Sequence, residues 1–376
     1  MRRPIIDTDP DLLVEEIDLL LRKGQGPCLS VLVNLDGDSA DHLRVKNAIK
    51  KAQVLLENRF IQFATWESVN ERLEFRLASY DFGHSKAAIG VFVSADLDSI
   101  IHFPFKVNEC VVVADSFEVR DVLYLRQYME PYFILGLSHK TISLFKGHGE
   151  SLKEIRDEVF PIEYHDDHEY ARSVKGTSYG FAAKGFENDR SVIAEERLRA
   201  PVHIAVLQTM KYMANNGQLV LSGPAKLTST VKDSLISKYV LVIHPGALTN
   251  GHFDHAMKSI WQECAAARRQ LILQQVEGLT NLGLRYRAVG LRNVWEAANK
   301  GKGRVLFVER DYQREAYIPA GQSSIRLHPP KGEYSIIEDA VDDAIEKVQA
   351  TGGKVVFVET GDLNRFQNIA LTLRYA

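Results

Sequence analysis

The sequence predicts an α/β protein of several domains, and three observations carry that expectation. Its 376 residues exceed what one compact core organises well. Short β-branched runs alternate along the chain with amphipathic segments of helical period. The apolar and charged fractions, 45% and 25%, are those of a soluble globular protein, and no low-complexity tract interrupts them.

The first elements read in order. Asp11–Lys23 has apolar residues at helical spacing, with Asp9 placed to cap and Pro10 at the first helical position. Cys28–Leu35 is a buried strand and Asp36–Asp41 an acidic turn-rich loop. His42–Asn58 follows a helical period, with Leu43, Ile49 and Leu56 set against Arg44, Lys46, Lys50 and Lys51. After a further helix come strands at Ala87–Ser94 and Glu109–Asp115, and the first unit closes near Tyr128.

A second unit opens with strands at Tyr132–Ser138 and Thr141–Lys146 around a tight hairpin, with Lys146-Gly-His-Gly149 as the next turn. The irregular stretch Glu163–Arg190 follows, then a helix from about Ser191 to Asn215. Leu219–Ser222 is a strand, Lys226–Lys238 a helix, Val240–His244 a strand and His252–Gln275 a long helix. The third unit has helices at Val289–Asn299 and Ile336–Gln349 and strands at Arg304–Glu309 and Lys354–Glu359. Gly352-Gly353 ends the helix before the last strand, because glycine enters the left-handed region cheaply.

Composition excludes several function classes. No apolar run is long enough to span a bilayer, and Met1–Asp11 has the wrong composition for a signal peptide. Cys28, Cys110 and Cys264 are too few and too scattered for a disulfide framework or a cysteine zinc site, which suits a reducing cytoplasm. A net charge of −3 does not point to nucleic-acid binding by the chain as a whole, so RNA contacts fall to local patches and DNA is not expected. His165-Asp-Asp-His-Glu169 mixes possible metal ligands, but it reads more simply as a solvated acidic loop. There is no nucleophile elbow, phosphate-cradling loop or His-Glu-x-x-His, so no catalytic set, cofactor or metal is expected.

Several motifs occur together in one order. They are Cys28-Leu-Ser-Val-Leu-Val33 before a basic helix, Gln218-Leu-Val-Leu-Ser-Gly-Pro-Ala-Lys226, and His252-Phe-Asp-His-Ala-Met-Lys258 opening a long helix. Ala288-Val-Gly-Leu-Arg-Asn-Val-Trp-Glu-Ala-Ala298 leads to Gly303-Arg-Val-Leu-Phe-Val-Glu309, and Gly352-Gly-Lys-Val-Val-Phe-Val-Glu359 to a terminal Phe366–Tyr375. In this order they resemble the archaeal and eukaryotic class-1 release factor and Pelota superfamily, and more closely its bacterial branch, which includes ribosome hibernation factors.

The resemblance implies a three-domain release-factor/Pelota-like architecture. Residues 1–128 would form a decoding-centre-like α/β domain, 129–275 an RNase H-like middle domain, and 276–376 an α/β/α sandwich. It also implies a ribosomal partner (the A site of the 70S particle and its RNA), with elongation factor Tu as a further one. In canonical release factors the position of loop 163–190 carries Gly-Gly-Gln, which helps place water on the peptidyl-tRNA ester. Here Ala171–Phe186 reads Ala-Arg-Ser-Val-Lys-Gly-Thr-Ser-Tyr-Gly-Phe-Ala-Ala-Lys-Gly-Phe, and no Gly-Gly-Gln occurs in the chain.

Lys175, Tyr179, Phe181, Lys184, Phe186 and Arg190 can neutralise phosphates or stack on unpaired bases, and the glycines among them admit close approach. Arg44, Lys46, Lys50 and Lys51, with His84 and Lys86 in Tyr80–Lys86, complete the expected ribosomal RNA contacts. The expectation is therefore a non-enzymatic hibernation factor that blocks the decoding and peptidyl-transferase centres. Two alternatives stand beside it: a divergent release or rescue factor, and a stress protein that binds another RNA or protein.

Overall fold

The computed structural model describes residues 10–22, 28–38, 40–60, 69–73, 87–114, 116–138, 140–164, 199–213, 217–232, 235–246 and 253–375. The architecture is mixed α/β with several sheets. It divides into two compact units, Met1–Met129 with Gln275–Ala376, and Glu130–Gln274.

The first segment runs α1 (Pro10–Arg22), β1 (Cys28–Asn34), α2 (Asp41–Phe60), α3 (described over 69–73), β2 (Ala88–Val93), β3 (Asp98–Phe103), β4 (Cys110–Ala114) and α4 (Arg120–Tyr128). The strands order β3-β2-β1-β4, and every pairing is antiparallel. Central β1 is buried on both faces, which is why it reads as a continuous apolar run rather than an alternating one. Leu29, Val31 and Val33 pack with Val45, Ile49, Ala52 and Leu56 of α2, while Cys28 and Leu32 pack with Ile17 and Leu20 of α1 and Val122 and Leu125 of α4.

The second unit holds β5 (Tyr132–Leu137), β6 (Thr141–His148), β7 (Ser151–Ile155), β8 (Ile162–Glu163), α5 (described over 199–213), β9 (Gln218–Gly223), α6 (Ala225–Lys232), a 3-10 helix (Leu235–Tyr239), β10 (Val240–Pro245) and α7, which starts at Phe253 and ends at Asn281. Strand order is β10-β9-β5-β6-β7, with β8 on the edge of β6. β5, β6 and β7 form an antiparallel meander, and β9 and β10 extend it in parallel with β5. Val202 and Val206 of α5 and Leu227 and Val231 of α6 cover Leu219 and Leu221 of β9. Within α7, Arg268 lies against the rings of Tyr132 and Trp261 and donates to the carbonyls of Glu130 and Pro131 at 2.8 and 3.1 Å, fixing the start of β5.

The last segment has a 3-10 turn (Leu284–Tyr286), β11 (Arg287–Val289), α8 (Leu291–Asn299), β12 (Gly303–Glu309), β13 (Ala316–Pro319), β14 (Tyr334–Ile337), α9 (Ala340–Ala350), β15 (Lys354–Val358) and β16 (Ile369–Leu373). Its sheet orders β11-β16-β12-β15, and β13 pairs with β14 apart from it. Val294 and Trp295 of α8 and Ala344, Ile345 and Val348 of α9 pack on Leu306, Val308, Phe357 and Leu371, and Leu123 of α4 joins this core.

The first and last segments are one unit because α4 is built into both. β15 is an edge strand, and the side-chain amide of Gln127 closes it: Nε2 donates to the Phe357 carbonyl and the Phe357 N–H donates to Oε1, each at 2.9 Å. Arg120, 3% exposed, donates Nη1 to the Tyr312 carbonyl at 2.9 Å and Nη2 to Asp339 at 2.5 Å. The Arg310 guanidinium stacks on Phe105 and Tyr124 at 4.5 and 4.3 Å. Ser116 donates to Glu346 at 2.9 Å. Burial, and then the neighbouring Glu118 charge, push the Asp342 carboxyl well above its usual range against the pull of Arg120; burial also raises Glu118.

Three segments fold differently from their sequence pattern. Lys226–Lys238 is not one helix: α6 ends at Lys232 and a 3-10 helix takes over at Leu235. β6 runs on through Lys146 and Gly147 to His148, and the turn falls at Gly149-Glu150, where Gly149 has φ +56°. Ile336 belongs to β14, and the helix begins only at Ala340, where Asp339 caps it by accepting the Val341 N–H at 2.9 Å.

Candidate nucleic-acid interface

α2 separates its two faces sharply. Val45, Ile49, Ala52 and Leu56, spaced four, three and four apart, are buried against the first sheet. Lys46, Asn47, Lys50 and Lys51 are exposed on the other side, together with Leu43 at 58% and Val54 at 55%. None of the three lysines has a carboxylate partner among the described residues. This face can meet a polyanion without first breaking an ion pair.

Arg44 stands apart from them. Its Nη1 lies 2.7 Å from Asp36 and 2.8 Å from Asp41, and its Nη2 lies 3.4 Å from Asp38. Asp41 in turn accepts the N–H groups of Asp36 and Gly37 at 3.1 and 2.8 Å. Burial alone would push the Asp41 carboxyl up; those two N–H groups and the Arg44 charge outweigh it and hold the group below its usual value. Arg44 is thus the clasp of the β1–α2 loop, and any phosphate on it competes with three carboxylates.

His84 and Lys86 lie outside the described residues, as do Lys175, Tyr179, Phe181, Lys184, Phe186 and Arg190 and the His165–Glu169 stretch. The two ends of that long segment are described. On the near side, β8 pairs with β6, the Tyr164 N–H donates to the Lys140 carbonyl at 2.9 Å, and its hydroxyl donates to the Ser138 carbonyl. On the far side, α5 is tied back to the same region by Asp157. Its carboxylate accepts the N–H groups of Phe160 and Val159 at 2.6 and 2.8 Å, the Tyr212 hydroxyl at 2.7 Å and the Gln208 amide at 3.1 Å. The Phe160 N–H first, then the Tyr212 hydroxyl, hold Asp157 far below the usual carboxylate range. The exposed side of α5 carries His203, Ile204, Leu207 and Lys211.

Two other sets of reactive groups among the described residues of the second unit have their chemistry blocked. At the carboxyl end of β10, His244 Nδ1 lies 3.1 Å from Glu263, and the Ser259 hydroxyl donates to the same carboxylate at 3.2 Å. A serine nucleophile needs its hydroxyl on the imidazole; here hydroxyl and imidazole both meet the acid. Burial pushes the Cys264 thiol, and the Cys110 thiol of the first segment, up to about 12, so neither is a thiolate at neutral pH. Among the described residues no His, Cys, Asp and Glu cluster could hold a metal ion, and no helix is long and apolar enough to cross a membrane.

No protein-family model and no curated protein matches this sequence. Among solved structures, the chain is similar to an archaeal translation termination factor, aRF1, with 12% identity over 98% of this chain and 99% of that one and a TM-score of 0.25. It is similar to Pelota of Archaeoglobus fulgidus, with 15% identity over 76% and 79% of the two chains and a TM-score of 0.33. It is also similar to an archaeal Pelota in its ribosome-bound form with ABCE1, with 14% identity over 96% and 94% and a TM-score of 0.34.

Proposed function

We propose that this protein is a release-factor/Pelota-like, ribosome-binding translation factor. It occupies the A site of the 70S ribosome and blocks the decoding and peptidyl-transferase centres, as a hibernation factor of the Balon kind does. The observation that carries the reading is the content of Ala171–Phe186. Where canonical release factors hold Gly-Gly-Gln, this chain has a lysine- and aromatic-rich stretch, and the triplet occurs nowhere in its sequence. Without that glutamine no water is placed on the peptidyl-tRNA ester, so the factor occupies the site without releasing peptide and needs no cofactor. Elongation factor Tu is the proposed delivery partner, and the cytoplasm the place of action.

Two further observations support the reading. The second unit is an antiparallel meander extended by two parallel strands, each preceded by a helix, which fits an RNase H-like middle domain. The exposed lysines of α2, without carboxylate partners among the described residues, make a face suited to phosphate.

The test is co-sedimentation with 70S ribosomes at rising salt, paired with a peptide-release assay on stalled complexes. The expected outcome is binding that weakens steeply with salt and no released peptide. The triple variant Lys46→Gln/Lys50→Gln/Lys51→Gln should bind more weakly and with a salt slope shallower by about one for each phosphate it no longer neutralises. Released peptide would replace this reading with that of a rescue factor. Absence from the ribosomal pellet would leave the stress protein that binds another RNA or protein.

A further inference from the structure

One end of the last segment's sheet gathers cations that are far apart in sequence. β12 and β15 run parallel and both start there, at Gly303-Arg304 and Lys354. β16 runs the other way and ends there, so Arg374 and Tyr375 follow it out, and the Arg374 N–H donates to the Lys302 carbonyl at 3.0 Å. β11 starts there too, with Arg287 opposite Thr372, directly after Arg285 and Tyr286. The register of four strands thus brings Arg285, Arg287, Lys302, Arg304, Lys354 and Arg374 to one end of this sheet.

These cations have no carboxylate partners among the described residues. Arg374 spends a donor on the Thr351 carbonyl at 2.7 Å, where it complements the carboxyl end of α9, and Arg287 donates to the Leu279 carbonyl while its buried Nε has no partner. No such duty accounts for Arg304 and Lys354, which are exposed. Two tyrosines stand among them, Tyr375 at 53% and Tyr286 at 39% exposure. The Lys302 ammonium lies 5.4 Å from the Tyr375 ring and the Arg285 guanidinium 4.9 Å from the Tyr286 ring. The opposite end, where β12 and β15 finish, carries Glu309, Asp311, Glu359 and Asp362, with Arg310 laid on Phe105 and Tyr124. The sheet is therefore polarised, basic and aromatic at one end and mainly acidic at the other.

We infer that this basic end is a second RNA-binding surface that takes a single-stranded segment, with phosphates on Arg304, Lys354 and Lys302 and an unpaired base stacked on Tyr375. Cations alone would serve an acidic protein equally well. The exposed tyrosines held beside them are what favours RNA, since every base offers a face to stack on and an acidic side chain does not. Duplex RNA hides its bases, which leaves a single strand as the occupant. The inference stands on its own residues and does not require the α2 face to bind the ribosome.

The test uses the full chain and a labelled ten-nucleotide oligouridylate, with anisotropy read across a salt series. Arg304→Gln/Lys354→Gln should bind at least tenfold more weakly, and its slope of log K against log salt should fall by about 1.4, at roughly 0.7 per neutralised phosphate on a single strand. Tyr375→Ala should weaken binding about fivefold or more with the slope unchanged. These residues are exposed, so thermal unfolding should be unaltered. Failure of the wild type to bind overturns the inference, and so does equal binding of poly-glutamate with no effect of Tyr375→Ala. If only Lys46→Gln/Lys50→Gln/Lys51→Gln abolishes oligomer binding, this surface is wrong and the ribosomal reading survives. If the protein misses the ribosome yet the Arg304/Lys354 effect persists, the reverse holds.

Discussion

Replacing Arg120 by Met tests how the first and last segments are joined. The guanidinium is 3% exposed and reaches three groups of the last segment: the Tyr312 carbonyl at 2.9 Å, Asp339 at 2.5 Å and Asp342 at 3.7 Å. Losing a charge-assisted bond to Asp339 costs about 1.5–3 kcal/mol, and losing the bond to the carbonyl about 1 kcal/mol. Asp339 keeps its bond from Val341 N–H as the cap of α9, and Asp342 can take up a proton, so neither carboxylate is stranded as a bare charge. The expected loss is about 2.5–4 kcal/mol, near the lower end of what removing one partner of a buried pair costs. Urea unfolding at neutral pH measures it, with Trp295 the one remaining tryptophan once Trp66 and Trp261 are both changed to Phe. The Trp295 transition should move to lower urea. A change below about 1 kcal/mol would refute the argument that Arg120 is a main tie between the segments.

Two more predictions concern titration. The carboxyls of Asp342 and Glu118 are both raised above their usual values in the folded state. The stability they contribute is complete below the unfolded carboxylate range and is lost as pH rises through their raised values. Asp342, faced by Glu118, Arg120, Asp339 and Glu346, carries most of that loss, so Asp342→Asn should flatten the fall in Tm as pH rises above the ordinary carboxylate range. A fall as steep as that of the wild type would count against the pair. Asp157 is the opposite case: its value is lowered, so its contribution is present above the ordinary aspartate range and disappears as pH falls. Because the group is exposed, Asp157→Ala should cost only about 1 kcal/mol of the second unit's stability at neutral pH, and nothing in strong acid. A pH-independent cost would assign the effect to packing of Tyr212 instead.

Much of the element order is legible in the sequence because periodicity reports burial. β1 reads as a strand because both its faces are covered, α2 because Ile49 and Leu56 keep a helical spacing (Leu43, read with them, is instead 58% exposed and Val45 takes the buried position), and the end of α9 because Gly352 takes φ +72°. The misses have physical causes. Asp98–Phe103 pairs with its sequence neighbour β2, but its buried run Ser99–Ile101 breaks the alternation that marks a strand, and Arg287–Val289 is three residues long with its partner β16 distant in sequence. The start of α9 is decided by the side chain of Asp339, which periodicity does not weigh against the apolar Ile336-Ile337 before it. The candidate site was legible only in kind. Sequence shows that the face of α2 is basic, but not that Asp36, Asp38 and Asp41 claim Arg44. The basic end of the last sheet joins Arg285 to Tyr375 across ninety residues of chain, and strand register alone assembles it.

The central claim is occupancy of the ribosome without peptide release. Cryo-electron microscopy of 70S ribosomes incubated with the purified protein tests it most directly. The account predicts density for this chain in the A site, with residues 171–186 at the peptidyl-transferase centre and an intact peptidyl-tRNA ester wherever one is present. An empty A site, or a P-site tRNA stripped of its peptide, would contradict it.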